Sequence, residues 1–380
     1  MRKLSFLFLL TSLALSAQKI KITDGETGKP IANARIVSDE LALYANEDGL
    51  IEFPTNGKPF EVSAGGYKRQ QISHFQNVIA LQPTVKDIEE VKIISIDVQP
   101  IFNDVLKNYH KIYYNKPAVY DVVFRRKSYR NEKLASMSIA EAKIWMSSSM
   151  FNYKSAYKED YGSMIQMQLN KVKFLKKGDA DSASSLKNKE FERDYYGSYF
   201  FNYELTRLLS NIRNSKYSGR LLAEADGEQT ISFKTNTDRS VKLDGIFKYN
   251  KKDKVITYIE VNYDMEELPV KKMQSGNGEE FTYKFGVATT VYDFYKKDDF
   301  YVPGMFRQTG DRYVLFYKDK TVTSKTASEV YYNTFAKSTS AGLDKKADSS
   351  KNLLSAAEVK DSKEAVILLS EEEQNFINQN

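Results

Sequence analysis

The chain holds only two histidines, His74 and His110, and no cysteine. A zinc peptidase centre takes a histidine and a glutamate at short spacing, plus a distant second histidine. Here His74 is followed three residues on by Asn77, and His110 by Tyr113, so neither opens such a centre. A Ser-His-Asp triad would draw on the same two histidines, and no Gly-x-Ser-x-Gly elbow presents a serine. Ser184 and Lys187 match Ser-x-x-Lys, but they lie in a polar Asp/Ser/Ala stretch without a Lys-Thr-Gly companion, and the match reads as chance. A thiolate nucleophile is excluded. With no phosphate-binding Gly-rich loop and no metal-ligand spacing, no cofactor is expected.

Carboxylates remain. Glu89-Glu90, Glu266-Glu267, Glu279-Glu280 and Asp298-Asp299 are adjacent pairs. Glycoside hydrolysis needs two carboxyl groups roughly 5–10 Å apart across a cleft. Neighbours on a strand point to opposite faces, so no such pair suffices alone. They read mostly as turn residues. Asn46-Glu47-Asp48 looks like a piece of a calcium loop, but one turn cannot supply six oxygens. It reads instead as a hairpin turn closed by Gly49. Tyr195, Tyr196, Tyr199 and Tyr203 crowd one region, with Tyr331-Tyr332 in another. Aromatic planes with polar tips suit sugar rings or partner surfaces. Packing within a sheet uses the same residues and is the commoner use. The four clustered tyrosines are the candidate ligand or partner surface.

Elements must position these groups. Met1-Arg2-Lys3, an apolar run from Leu4 to Leu15 and small residues at Ser16-Ala17 form an export signal, with cleavage expected after Ala17. The run is too short to span a bilayer, which takes about 20 apolar residues, and no other long apolar run follows. Without cysteine there is neither a lipid-anchored first residue nor a disulfide. The chain counts 56 Lys and Arg against 50 Asp and Glu; the leader removes two bases, leaving 54 against 50 and +4. That balance excludes a nucleic-acid footprint. With 26 Tyr and 22 Phe against 8 Pro, the composition reads as mainly β.

Residues 18–83 alternate short apolar strands with turns at Asp24-Gly25, Thr27-Gly28 and Asp48-Gly49, the rhythm of a β-sandwich. Gly66 precedes Tyr67 where a turn needs positive φ. Asp24…Thr27-Gly28-Lys29-Pro30-Ile31…Ala34, Asn46-Glu47-Asp48-Gly49-Leu50-Ile51 and Val62-Ser63-Ala64-Gly65-Gly66-Tyr67 resemble the carboxypeptidase regulatory-like domain. Lys86 to Ile93 is similar to the connector that follows it. The resemblance covers about a fifth of the chain. It implies a transthyretin-like sandwich, as in TonB-dependent receptors and other exported proteins of the Gram-negative envelope. The family's name refers to an accessory module and implies no zinc site.

Residues 84–96 read as a linker. Val98, Ile101, Phe102, Val105, Leu106, Tyr109 and Ile112 then recur at helical spacing, with Pro100 in the first turn. From 97 to 336 a larger antiparallel β domain is expected. Repeated strands are read from Tyr120 to about Phe335, among them Tyr120–Arg125, Ser138–Trp145, Ile165–Phe174, Ile231–Lys234, Gly245–Tyr249, Val255–Tyr263, Phe281–Phe294 and Arg312–Tyr317. One helix carries Phe201, Leu205, Leu208, Leu209 and Ile212. The run from Asp244 to Glu260 is similar to strand pairs of lipoprotein-carrier half-barrels, which implies a sheet wrapped on an apolar surface with helices against it. Residues 337–352 read as a disordered linker, and 353–380 as a tail with a short helix around Lys363–Leu369. The function expected is that of an exported, non-catalytic binding, carrier or scaffold protein of the periplasm or outer membrane. Its partner classes are an outer-membrane protein, a lipid or a glycan. A carboxylate-dependent hydrolase acting on glycans or peptides is the alternative. An outer-membrane barrel is disfavoured, because the strands carry Lys on both faces and the chain ends in a polar tail.

Overall fold

The computed structural model describes residues 18–39, 41–53, 58–84, 94–176, 195–211, 217–225, 227–236, 241–274, 280–317, 319–339, 341–344 and 368–378. The chain is mainly β and divides into two units, residues 1–89 with 363–380, and residues 90–362. The expected signal, 1–17, lies outside the described residues.

The first unit has seven strands in two sheets: β1 (Gln18–Asp24), β2 (Arg35–Val37), β3 (Ala42–Tyr44), β4 (Leu50–Phe53), β5 (Phe60–Ser63), β6 (Gln70–Ile72) and β7 (Val78–Leu81). One sheet runs β4-β1-β7 and the other β3-β2-β5-β6. Alternate residues of each strand enter one shared core. Ile20, Ile22, Ile51, Phe53, Ile79 and Leu81 come from the first sheet, and Ile36, Phe60, Val62 and Ile72 from the second. The β1–β7 pair is parallel, which the strand rhythm did not reveal. Asp24 accepts the Glu26 and Thr27 amides at 2.8 Å each, and its other oxygen accepts the Tyr67 hydroxyl at 2.8 Å. Two ends of the sequence motif thus meet in one hydrogen bond, with Gly66 at φ 77° between strand and tyrosine.

The second unit is built on a 14-stranded sheet. Its strands are β8 (Ile94–Ile96), β9 (Ala118–Arg130), β10 (Lys133–Met146), β11 (Ile165–Lys176), β12 (Ser218–Ala225), β13 (Glu228–Asn236) and β14 (Lys242–Asn250). They continue with β15 (Val255–Asp264), β16 (Lys271–Gln274), β17 (Glu280–Lys284), β18 (Val287–Lys297), β19 (Phe300–Tyr317), β20 (Lys320–Tyr332) and β21 (Ala336–Lys337). The main path runs β11-β10-β9-β20-β19-β18-β15-β14-β13-β12-β8, antiparallel at every step. Register places Phe124, Val330, Phe306, Tyr292, Ile259 and Phe247 in one row across six strands. The next row, on the opposite face, reads Arg125, Glu329, Arg307, Val291, Glu260 and Ile246. The pleat alone sorts aromatic from charged residues here.

Two helices cover the aromatic face. α1 (Val98–Ile112) begins where the Asp97 carboxylate accepts the Gln99 amide, and it buries Val98, Phe102, Val105, Tyr109 and Ile112. Phe102 lies 5.2 Å from Phe247 and 5.6 Å from Phe233. The five-residue α2 is Tyr153–Tyr157, and α3 is Phe201–Asn211. Phe201 of α3 lies 5.2 Å from both Tyr292 and Phe294. Phe102, Tyr113, Phe201 and Phe247 are all essentially inaccessible. This face is filled by the protein's own side chains.

Several boundaries differ from expectation. The end of the expected linker, Ile94–Ile96, is a strand, because its backbone pairs with Gly219–Leu221 of β12. The expected Phe281–Phe294 strand is two, since β17 and β18 pair with different halves of β19. The expected disordered linker 337–352 begins in structure: Lys337 pairs with Ala118, and the Leu343 amide donates to Gln166 at 2.8 Å. Residues 345–352 and the 363–367 part of the expected tail helix lie outside the described residues. The helix found is α4 (Glu371–Asn378), and it belongs to the first unit.

Candidate binding surface

The side chains exposed in an aromatic setting lie around α2 and the segment 195–203. Asn152 caps α2, its side-chain oxygen accepting the Lys154 and Ser155 amides at 3.0 and 3.3 Å. The preceding Phe151 is buried between Phe200 and Tyr203, with ring centroids at 5.5 and 4.8 Å. Its amide donates to the buried Asn202 side chain at 2.9 Å, fixing this loop to the start of α3. A single 3-10 turn, Tyr161–Ser163, follows. Tyr161 stacks on Tyr196 at 4.6 Å, and Tyr195 packs edge-on against Tyr196 and Tyr199. Around this packed assembly Met150, Tyr153, Tyr157 and Tyr195 reach solvent, Tyr157 with 92% of its surface exposed.

The expected surface of four tyrosines is therefore corrected. Tyr195 is exposed and Tyr199 is half-buried, but Tyr196 and Tyr203 are interior. The first turn of α3 is buried nearly all round, which draws Tyr203 inward, and stacking on Tyr161 does the same for Tyr196. Burial, with Tyr195 alongside, pushes the Tyr199 hydroxyl pKa well above the usual phenol range. Tyr331 and Tyr332 are also buried. Sequence reading missed Tyr153 and Tyr157, although Asn152 followed by tyrosines four apart is a capped-helix signal.

A buried carboxylate lies inside the same unit. Glu204 of α3 is 2% exposed and accepts the Tyr263 hydroxyl. The Arg207 guanidinium lies 3.7 Å from it and 4.8 Å from the Tyr263 ring centroid. Burial and the Glu204 charge hold the Tyr263 hydroxyl far above its ordinary pKa. Three other interior tyrosines donate to backbone: Tyr113 to Ile256 at 2.7 Å, Tyr217 to Leu208 at 3.0 Å and Tyr292 to Ser198 at 2.8 Å. These groups anchor helices to the sheet and lie away from solvent.

The remaining chemical candidates are dispersed. His74 and His110 are exposed and belong to different units. Glu266 pairs with Arg312 at 3.2 Å, Glu267 with Lys242 at 2.6 Å, and Asp298 with Lys337 at 3.8 Å. Ser184, Lys187, Glu89, Glu90 and Glu279 lie outside the described residues. Among the described residues, no group of three or more His, Asp or Glu is placed to hold a metal ion. Nor is any described helix long and apolar enough to cross a membrane.

No family model and no curated protein matches the chain. Among solved structures it is similar to a LolA superfamily protein from Nitrosomonas europaea, at 12% identity over 63% of this chain and 93% of that one. The TM-score is 0.21, a likeness too small to carry weight for fold or function.

Proposed function

We propose that this is an exported, non-catalytic binding protein of the Gram-negative envelope, working at the periplasmic face of the outer membrane. The observation that carries the binding role is the pair of exposed rings Tyr153 and Tyr195, each packed on buried or half-buried aromatic neighbours, with the almost fully exposed Tyr157 on the same short helix as Tyr153. Rings held this way present flat apolar area with a polar tip at little cost in side-chain entropy. That chemistry suits a glycan or a partner protein surface. The α1- and α3-covered face supports surface binding over carriage in an internal cavity, because its aromatic rings occupy the space a lipid chain would need. The export pattern at 1–17 and the resemblance of 18–83 to the carboxypeptidase regulatory-like domain support the location.

The test is binding of the full chain to envelope polysaccharides, peptidoglycan fragments and detergent-solubilised outer-membrane proteins. Retention on one class, lost on Tyr157→Ala with Tyr195→Ala, supports the reading. Retention unchanged by both substitutions, or none on any class, sinks it. Turnover of any of these polymers, abolished by a single Asp or Glu substitution, would put the hydrolase in its place.

A further inference from the structure

The Asn46–Gly49 turn joins β3 to β4 and is a tight, self-closed loop. The Asn46 side-chain oxygen accepts the Asp48 and Leu50 amides at 3.0 and 2.9 Å, and the Gly49 amide donates to the Asn46 carbonyl at 3.0 Å. Two polar groups of the turn reach the start of α4. The Asn46 amide nitrogen donates to the Leu369 carbonyl at 3.2 Å. The Asp48 carboxylate accepts the Glu371 amide at 2.9 Å. Both partners lie at the start of α4.

The incoming end is organised to match. Ser370 and Glu373 form a reciprocal capping box: the Ser370 hydroxyl accepts the Glu373 amide at 3.3 Å, and the Glu373 carboxylate accepts the Ser370 amide at 2.8 Å. The Ser370 and Glu373 side chains are both essentially inaccessible. Phe376 and Ile377, one turn on, are partly covered on the same side. The first-turn amide of a helix carries partial positive charge, so a carboxylate from outside the helix is a favourable acceptor for it.

We propose that this turn is a recognition site for the backbone at the N-terminus of a capped helix, and that the chain's own C-terminal segment occupies it as an intramolecular ligand. Asp48 reads the free first-turn amide, and Asn46 reads the carbonyl just before the cap. The same surface is then closed to any competing helix of that type until the tail is displaced. A tethered segment acts at an effective concentration of order 1 mM, so micromolar free peptide does not compete with it.

The experiment uses the full chain and a fluorescent peptide spanning Leu368 to Asn380. Glu373→Lys in the tail disables the resident ligand and leaves the turn intact. Peptide should bind this variant and bind the parent chain on the order of 10-fold or more weakly. Adding Asp48→Ala to the variant should remove the binding. Hydrogen exchange gives an independent reading: amides of 372–378 should be protected in the parent and released in Glu373→Lys, with β1 and β4 protected in both. Equal binding to parent and variant, no binding to the variant up to about 1 mM peptide, indifference to Asp48→Ala, or equal exchange in the tail would each overturn the proposal.

Discussion

Removing the Tyr263 hydroxyl isolates one buried interaction. Tyr263→Phe keeps the ring, so the packing and the Arg207 contact over its face persist. What is lost is the donor to Glu204, a carboxylate 2% exposed on the first turn of α3. Hydrogen bonds to charged groups contribute about 1.5–3 kcal/mol, and a buried acceptor left unmade costs about as much. Arg207 is 36% exposed and 3.7 Å away, so its ion pair offsets less than about 1 kcal/mol. The second unit should therefore lose about 1.5–3 kcal/mol. In a Glu204→Gln background the same change removes a neutral hydrogen bond and should cost only about 0.5–1.5 kcal/mol. The difference is the coupling that charge adds. Urea unfolding followed by tryptophan fluorescence reads this unit alone, because the chain's single tryptophan, Trp145, is buried in β10. A Tyr263→Phe effect within about 0.5 kcal/mol of the parent, the range of an ordinary surface change, would refute the assignment of Glu204 as a tyrosine-dependent buried charge.

The Asp24–Tyr67 bond sets two pH limbs for the sandwich. Backbone amides and Tyr67 hold the Asp24 carboxyl below its ordinary 3.8, so its contribution is full above that value and fades as pH falls below it. Burial, then Asp24, pushes Tyr67 from 10.0 to about 12, so its contribution is full below pH 10 and fades between 10 and about 12. Thermal unfolding against pH should show Asp24→Asn flattening the acid limb and Tyr67→Phe the alkaline one. Gly49→Ala should destabilise the sandwich by at least about 1–3 kcal/mol, the cost of left-handed backbone strain. Gly49 sits at φ 71° with a would-be Cβ 2.4 Å from the Ile22 carbonyl oxygen; calorimetry of parent and variant side by side measures the loss. Tyr157→Ala should leave urea unfolding within about 0.5 kcal/mol of the parent while lowering ligand retention, which separates a binding ring from a packing one.

How far the sequence spoke depended on the period of the pattern. α1 was legible because Pro100 falls in a first turn and seven apolar residues agree on one helix face, and the observed bounds fit that stripe. Val255–Asp264 was legible because one face is covered and the other is polar, giving clean alternation. β20 was not placed individually within the strand-rich region: Lys320–Tyr332 carries Thr, Ser and Lys for most of its length, and it is a strand because β19 and β9 flank it on both sides. β19 is its hairpin neighbour, but β9 lies far earlier in the chain, and no local window contains that second partner. The same holds for Ile94–Ile96, whose assignment depends on β12 more than a hundred residues later.

The binding surface shows the opposite failure. Four tyrosines close in sequence suggested one patch, but proximity along the chain says nothing about which way a ring points. Tyr195 and Tyr196 are adjacent, yet one is 41% exposed and the other is stacked on Tyr161. The exposed partners, Tyr153 and Tyr157, come from a helix some forty residues earlier, joined to this region through Phe151 and Asn202. Asn46-Glu47-Asp48 carries the converse lesson. Its oxygens suggested a cation and its isolation argued against one, and both considerations were local. In the fold, the Asp48 carboxylate meets a positive partner of another kind, the Glu371 amide in the first turn of α4. That partner was written in the sequence as Ser370-x-x-Glu373, immediately after the apolar run where the helix had been expected. A helix begins at its cap, and here the Glu371 amide of the first turn is what the Asp48 carboxylate accepts.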